Sequence, residues 1–253
     1  MVLEEFDFDK EAIISPAYFV KPMEGMPRVA VTCFGYQTFE RMAELLKGER
    51  IAETANASGK WPIYKAVYQG KEIAIYMTDM GAAGAGAQLE EIFALGVEKV
   101  VVFGACGVLD NTIEDCSIII PDAAVRDEGL SYHYAPPADE IAVNPKYMQE
   151  FINLLEEVNC SYRIGKVWTT DAFYRETKAK MQKRKEQGCI CVDMECSALA
   201  AVAQFREKEL FQFFITADCL EGDEWNPRSL SEDVKFTEKD YCAQLALEMA
   251  VRI

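Results

Sequence analysis

The stretch Ile190-Cys191-Val192-Asp193-Met194-Glu195-Cys196 decides how this chain is read. Its apolar run, Ile190 to Met194, reads as a buried strand. The alanine-rich segment Ser197 to Lys208 behind it reads as a helix. Two acids stand at the junction. A carboxylate there can be aimed into a cleft, where it accepts hydrogen bonds from two neighbouring hydroxyls. Taken alone, the plainer reading is favoured: both acids complement the dipole at a helix N-terminus.

Working outward, the same alternation recurs. Strands are expected at 28–34, 63–68, 72–77, 100–103, 117–120 (stopped by Pro121), 163–168 and 210–217. Helices are expected at 38–47, 88–95, 178–187 (closed by Gly188) and 238–251. A further helix runs to about Asn159, with Asn144 as cap and Pro145 at its first position. Met80 to Gly86 reads as a small-residue turn before a helix, a place of close backbone approach that fits a ligand or helix–sheet packing equally well. Gly104-Ala105-Cys106-Gly107 reads as a second turn. Several strands are apolar on both faces, so a central sheet covered by helices on both sides is expected, in one large α/β domain or two small ones. Residues 1–27 form an irregular N-terminal arm able to wrap a neighbour, and 28–253 the domain. Loops at strand ends then carry the candidate site.

The chain has 253 residues, half of them hydrophobic, and a formal charge of −16. That charge argues against nucleic acid and anionic membranes as partners, since both need clustered Lys and Arg. No apolar run approaches the ~18 residues that span a bilayer, and the acidic N-terminus does not resemble a signal peptide. A cytoplasmic protein is expected. Nine cysteines form no CxxC pair and there is one histidine, His133, so no metal site is expected.

Four ordered segments resemble the nucleoside phosphorylase and nucleosidase superfamily, of the purine and uridine phosphorylase type. They are Val102 to Gly107 (VFGACG), Thr169 to Thr177 (TTDAFYRET), Val192 to Cys196 (VDMEC) and Thr216 to Trp225 (TADCLEGDEW). The resemblance implies cleavage of the N-glycosidic bond of a nucleoside, without a cofactor and with orthophosphate as co-substrate in a phosphorylase. It implies a single α/β domain of three layers, a central mixed sheet flanked by helices, and homo-oligomers (dimer, trimer or hexamer). By similarity Glu195 binds the ribose 2′ and 3′ hydroxyls and supports an oxocarbenium-like sugar. Met194 packs on the sugar, Val192 lies near the base and Phe173 stacks on it. Asp218 is the general acid that protonates a departing purine near N7, which requires a pKa raised by burial. Asp193 is support for Glu195. Met80, Cys106 and Gly107 complete the substrate-contacting set, and His133 is a candidate for the ribose 5′-hydroxyl, although a lone His beside two tyrosines is more often structural. Uridine-specific members carry Gln and Arg after the stacking Phe. Thr177 and Ala179 stand there, which favours a purine.

The phosphate end departs from the family pattern. The loop after the first strand is Cys33 to Thr38 around Gly35, in place of Gly-Asp-Pro. The arginine position is read as Phe103, and the hydroxyl position as Ala105. A phenylalanine cannot neutralise a dianion, and an alanine donates no side-chain hydrogen bond. Lys60, Arg41 and Arg126 are the cations available to compensate. Three readings follow: purine nucleoside phosphorolysis with a rebuilt phosphate site, which is favoured; hydrolysis, with Glu40 near the place of a water-activating base; and an idle nucleoside-binding protein. A uridine-type phosphorylase is a further alternative.

Overall fold

The computed structural model describes residues 2–222, 224–231 and 234–253; Met1 of the arm and Asp223 of the fourth family-like segment lie outside these. In chain order the elements are β1 (Val29–Cys33), α1 (Tyr36–Leu45), β2 (Glu49–Asn56), β3 (Gly59–Tyr68), β4 (Lys71–Met77), α2 (Ala82–Leu95), β5 (Lys99–Val108) and β6 (Ile118–Asp127). They continue with β7 (Glu140–Ala142), α3 (Met148–Glu157), β8 (Tyr162–Thr170), α4 (Lys178–Glu186), β9 (Cys189–Asp193), α5 (Cys196–Phe205), β10 (Glu209–Cys219) and α6 (Phe236–Ala250).

The strands alternate faces with period two, and both faces are apolar. Val31, Ile75, Val101, Phe103, Phe211 and Phe213 point to α1, α3 and α6. Ala30, Ala74, Tyr76, Val100 and Val102 point to α2 and α5. A sheet buried on both sides must carry such continuous runs, which is why its strands were legible. The result is a mixed α/β domain of three layers, with β5 as its hub. β5 runs parallel to β1 along its first half and to β10 throughout. Its last residues, Gly107 and Val108, pair antiparallel with Val192 and Cys191 of β9. Through β6 and β8 the sheet closes back on β9.

Four sequence expectations are corrected. The glycine-rich segment is not a turn before a helix: α2 begins at Ala82 and takes Gly84 and Gly86 into its first turns. The turn is Gly81 alone, at φ +87°, a region that favours glycine. Gly86 is small because the turn at Leu130 packs on it; a Cβ there would lie 2.1 Å from Leu130 Cδ2. Gly104 to Gly107 is likewise the far half of β5, where the strand changes neighbours from β1 to β9. Pro121 does not end β6. The strand continues to Asp127 with a register irregularity between Pro121 and Ala124, the kind of place where a missing ladder donor is tolerated. Asn144 is no helix cap. Its side chain donates to the carbonyls of Pro121 and Gln212 and accepts from the Gln212 amide, and the helix begins at Met148. The edge strands β2 and β7 have polar, weakly alternating sequences and were not foreseen.

The arm lies along its own chain. The Met23 amide donates to the Leu95 carbonyl, Phe6 packs edge-on against Phe205, and Arg206 donates to the Lys10 carbonyl. Among the described residues no helix is long and apolar enough to cross a membrane.

Candidate active site

Gly107 organises the site. In register it faces Val192 of β9 on one side and Asp218 of β10 on the other. Adjacent strands lie about 4.8 Å apart, so Val192 and Asp218 flank Gly107 at roughly one strand spacing each. A bulge aims the acid: β10 carries one residue more than β5 between Thr216 and Asp218. Such an insertion re-aims the next side chain. Thr216, just before it, is fixed by donating to the Glu114 carbonyl and accepting from the Ser117 amide. Gly107 leaves room for the carboxyl, since a Cβ there would lie 2.9 Å from Asp218 Oδ1.

Asp218 is buried, and burial raises its pKa; its Oδ2 accepts a 2.8 Å hydrogen bond from the Trp225 indole. Glu176 follows the short turn Phe173–Arg175. Burial, then the charge of Asp218, raise its pKa to about 7. Phe173 stands half-exposed at that turn with its ring against Tyr174.

The two acids of the opening stretch separate. Asp193 is buried at the end of β9. Its Oδ2 accepts from the amides of Glu195 and Cys196 at the start of α5, and its Oδ1 from the Thr169 hydroxyl. It therefore takes the helix-terminus role. Glu195 turns across to α2, where its Oε1 accepts a 2.6 Å bond from the Gly81 amide. Burial is the largest cause of the raised pKa of both; the charge of Asp193 raises Glu195 further, and that of Glu128 raises Asp193. Glu128 itself is held by the Ser131 amide and the Ser197 hydroxyl. Met80, next to Gly81, is largely exposed, Met194 is half-buried, and Cys106 is buried on the α5 side.

The first-loop end, where phosphate is expected, is different. Gly35 precedes α1 in extended conformation, and Phe34 packs over Gly104, where a Cβ would lie 2.8 Å from Phe34 Cδ2. The reading of Phe103 as the arginine position is corrected. Its ring stacks on Phe213 in the α1–α6 core, 5.8 Å between centroids. By alternation the face that meets Phe34 belongs to Val102 and Gly104. Ala105 is exposed. The candidate cations are engaged elsewhere. Arg126 is buried and donates to the Ser131 hydroxyl and the carbonyls of Ala135, Pro136 and Ala138. Lys60 pairs with Glu53 on the edge hairpin, and Arg41 with Asp240. His133 is exposed on the turn Leu130–His133.

A cleft of about 280 Å³ opens at the opposite end of β10, bounded by residues such as Lys146, Gln204, Glu207 and Leu210. It is remote from these acids, and Lys146 is paired with Glu209. The sequence offers Glu176 as a residue able to read the base and gives Trp225 no role. Both lie inside quoted segments, but only the turn and the loop after β10 bring them beside Asp218.

Residues 28–249 match the model of the Phosphorylase superfamily. A DeoD-type purine nucleoside phosphorylase of Shewanella oneidensis is 26% identical over 207 residues, 81% of this chain and 86% of that protein. A guanosine phosphorylase of Halorubrum lacusprofundi is 25% identical, covering 65% of this chain and 67% of its own. In fold, a uridine phosphorylase of Vibrio fischeri superposes with a TM-score of 0.79 at 22% identity, over 96% of this chain and all of that one. A match running from β1 through α6, over strands that deliver the acids of the site, leaves one conclusion: the chain belongs to the phosphorylase superfamily and is an enzyme of the nucleoside phosphorylase type.

Proposed function

We propose that the substrate is a purine nucleoside, cleaved by orthophosphate to free base and ribose 1-phosphate. The observation that carries this is the Asp218 carboxyl, buried over Gly107 with its pKa raised. As the glycosidic bond breaks, its electron pair moves to the base, and a carboxylic acid near N7 delivers the proton that lets the base leave. Uracil presents no imidazole nitrogen to such an acid, and Thr177 and Ala179 offer neither a carboxamide nor a guanidinium to its edge. Glu195, held by Gly81, accepts from the ribose diol; hydroxyl donors favour its ionised form and oppose the effect of burial. Its charge then faces the positive sugar in the transition state. Phosphate enters at the first loop, near Gly35 and the N-terminus of α1, where the helix dipole favours an anion. No cofactor is called for, and subunit association is expected to complete the sugar site.

Hydrolysis is the second reading, favoured by Phe34 over Gly104 and by the pairing of Lys60, Arg41 and Arg126. One assay separates them: inosine, adenosine and uridine are incubated with purified protein, with and without phosphate. Purine release that rises with phosphate and yields ribose 1-phosphate supports the proposal. Equal release in phosphate-free buffer, yielding free ribose, replaces it with hydrolysis. No release from any nucleoside leaves a binding protein.

A further inference from the structure

We infer that Trp225 is a positioning residue for the base-side acid: its indole N–H holds Asp218 Oδ2, so that the transferable proton sits on Oδ1. This rests on the reading of Asp218 as the acid that protonates a departing purine. The contact is a 2.8 Å hydrogen bond from an indole that is 58% exposed to a carboxyl that is 8% exposed. An exposed tryptophan contributes little to the core, and its N–H is a donor only. It therefore bonds the oxygen that carries no proton. The other oxygen, Oδ1, is the nearer of the two to the space that Gly107 leaves open, 2.9 against 3.1 Å from where a Cβ would stand.

The loop is built to hold the indole there. Cys219 and Asn226 exchange both amide–carbonyl hydrogen bonds, at 2.9 and 3.1 Å, closing the segment between them back onto the end of β10. The Ser229 amide donates to the Ala217 carbonyl and Arg228 to the Ile113 carbonyl, which anchors the next residues beside the bulge that aims Asp218. The charged groups around the carboxyl are Glu176 after the Phe173 turn, Asp115 and Arg228. Burial and Asp115 favour the protonated form; Trp225 and Arg228 favour the ionised form. Removing the indole donor raises the pKa further and leaves the proton free to sit on either oxygen.

Trp225→Phe keeps an aromatic face and removes the donor. Relative to wild type, kcat on a purine nucleoside should fall about tenfold while KM changes by less than about twofold. The acid must be protonated to act, so activity is lost as pH rises through its pKa. The variant's alkaline limb should move up by about one pH unit. A nucleoside whose purine is methylated at N7 carries its positive charge already and leaves without a proton, so its rate should be the same in both proteins. A purely structural role would slow both substrates and leave the limb in place; that result overturns the inference.

A second measurement does not depend on turnover. The chain has three tryptophans, hence three indole 15N–1H signals. The Trp225 signal, assigned by its loss in Trp225→Phe, should shift with pH in the wild type and stay fixed in Asp218→Asn. A flat signal in the wild type overturns the inference. Absence of purine release by the wild type overturns the functional reading, and this inference with it, whatever the indole signals do.

Discussion

The two ends of the site are built in opposite ways. At the end formed by β9, α5 and β10, buried acids stand on three neighbouring elements, and main-chain amides or fixed donors hold three of them: Gly81 on Glu195, two α5 amides on Asp193, Trp225 on Asp218. At the first-loop end an aromatic ring packs over a glycine, and the candidate cations are spent on Glu53, Asp240 and backbone carbonyls. Both ends share β5. The first end depends on register and on amide directions, which the fold itself fixes. The second depends on which side chains one loop carries, and substitution there leaves the sheet intact.

That contrast can be broken first at its strongest point. Asp218→Asn should slow purine release by about 10²- to 10⁴-fold with little change in KM, measured by steady-state kinetics, because a positioned general acid contributes on that scale. An unchanged rate removes the acid end from the chemistry. Glu195→Gln keeps an acceptor for the Gly81 amide but removes the charge that faces the sugar. We expect kcat/KM to fall by about 10²-fold, with circular dichroism and melting temperature preserved.

Stability offers a smaller test of the same end. The pKa of Glu176 is raised from 4.5 to about 7, so the folded state holds its proton over that window and the unfolded chain does not. Its stabilising contribution is complete below pH 4.5 and lost as pH rises through 7. Glu176→Gln should therefore match wild type at pH 4 relative to its own baseline and gain above pH 7. Discounted for its partial exposure, the gain is about 1 kcal/mol, or roughly 2–4 °C in Tm. The smallest effect belongs to the other end. Ala105→Ser restores a hydroxyl at an exposed position, so stability should move by less than about 0.5 kcal/mol. If phosphate binds beside the first loop, its KM should fall a few-fold, about 1 kcal/mol for one hydrogen bond. No change in phosphate KM would place the anion elsewhere.

Much of the fold was legible because the central strands are buried on both faces and must be apolar throughout. Edge strands carry no such burden, and β2 and β7 escaped notice for that reason. The four segments marked the acids in order, and the family resemblance ranked Glu195 above Asp193, but the residues alone left both as helix-terminus charges. Only their amide partners show that one caps α5 and the other crosses to Gly81. Reading Phe103 as facing the anion failed because alternation along β5 sends it to the opposite face, onto Phe213.

By itself, then, the sequence determined the alternating strands and helices, the burial of both sheet faces and the order of the family-like segments, since local periodicity and residue type suffice for these. The tertiary structure decided the rest. The bulge before Asp218, the loop that brings Trp225 to it, and the closure of Phe34 over Gly104 depend on register and on contacts between residues distant in the chain. No local pattern encodes those distances, because they exist only once the strands have paired.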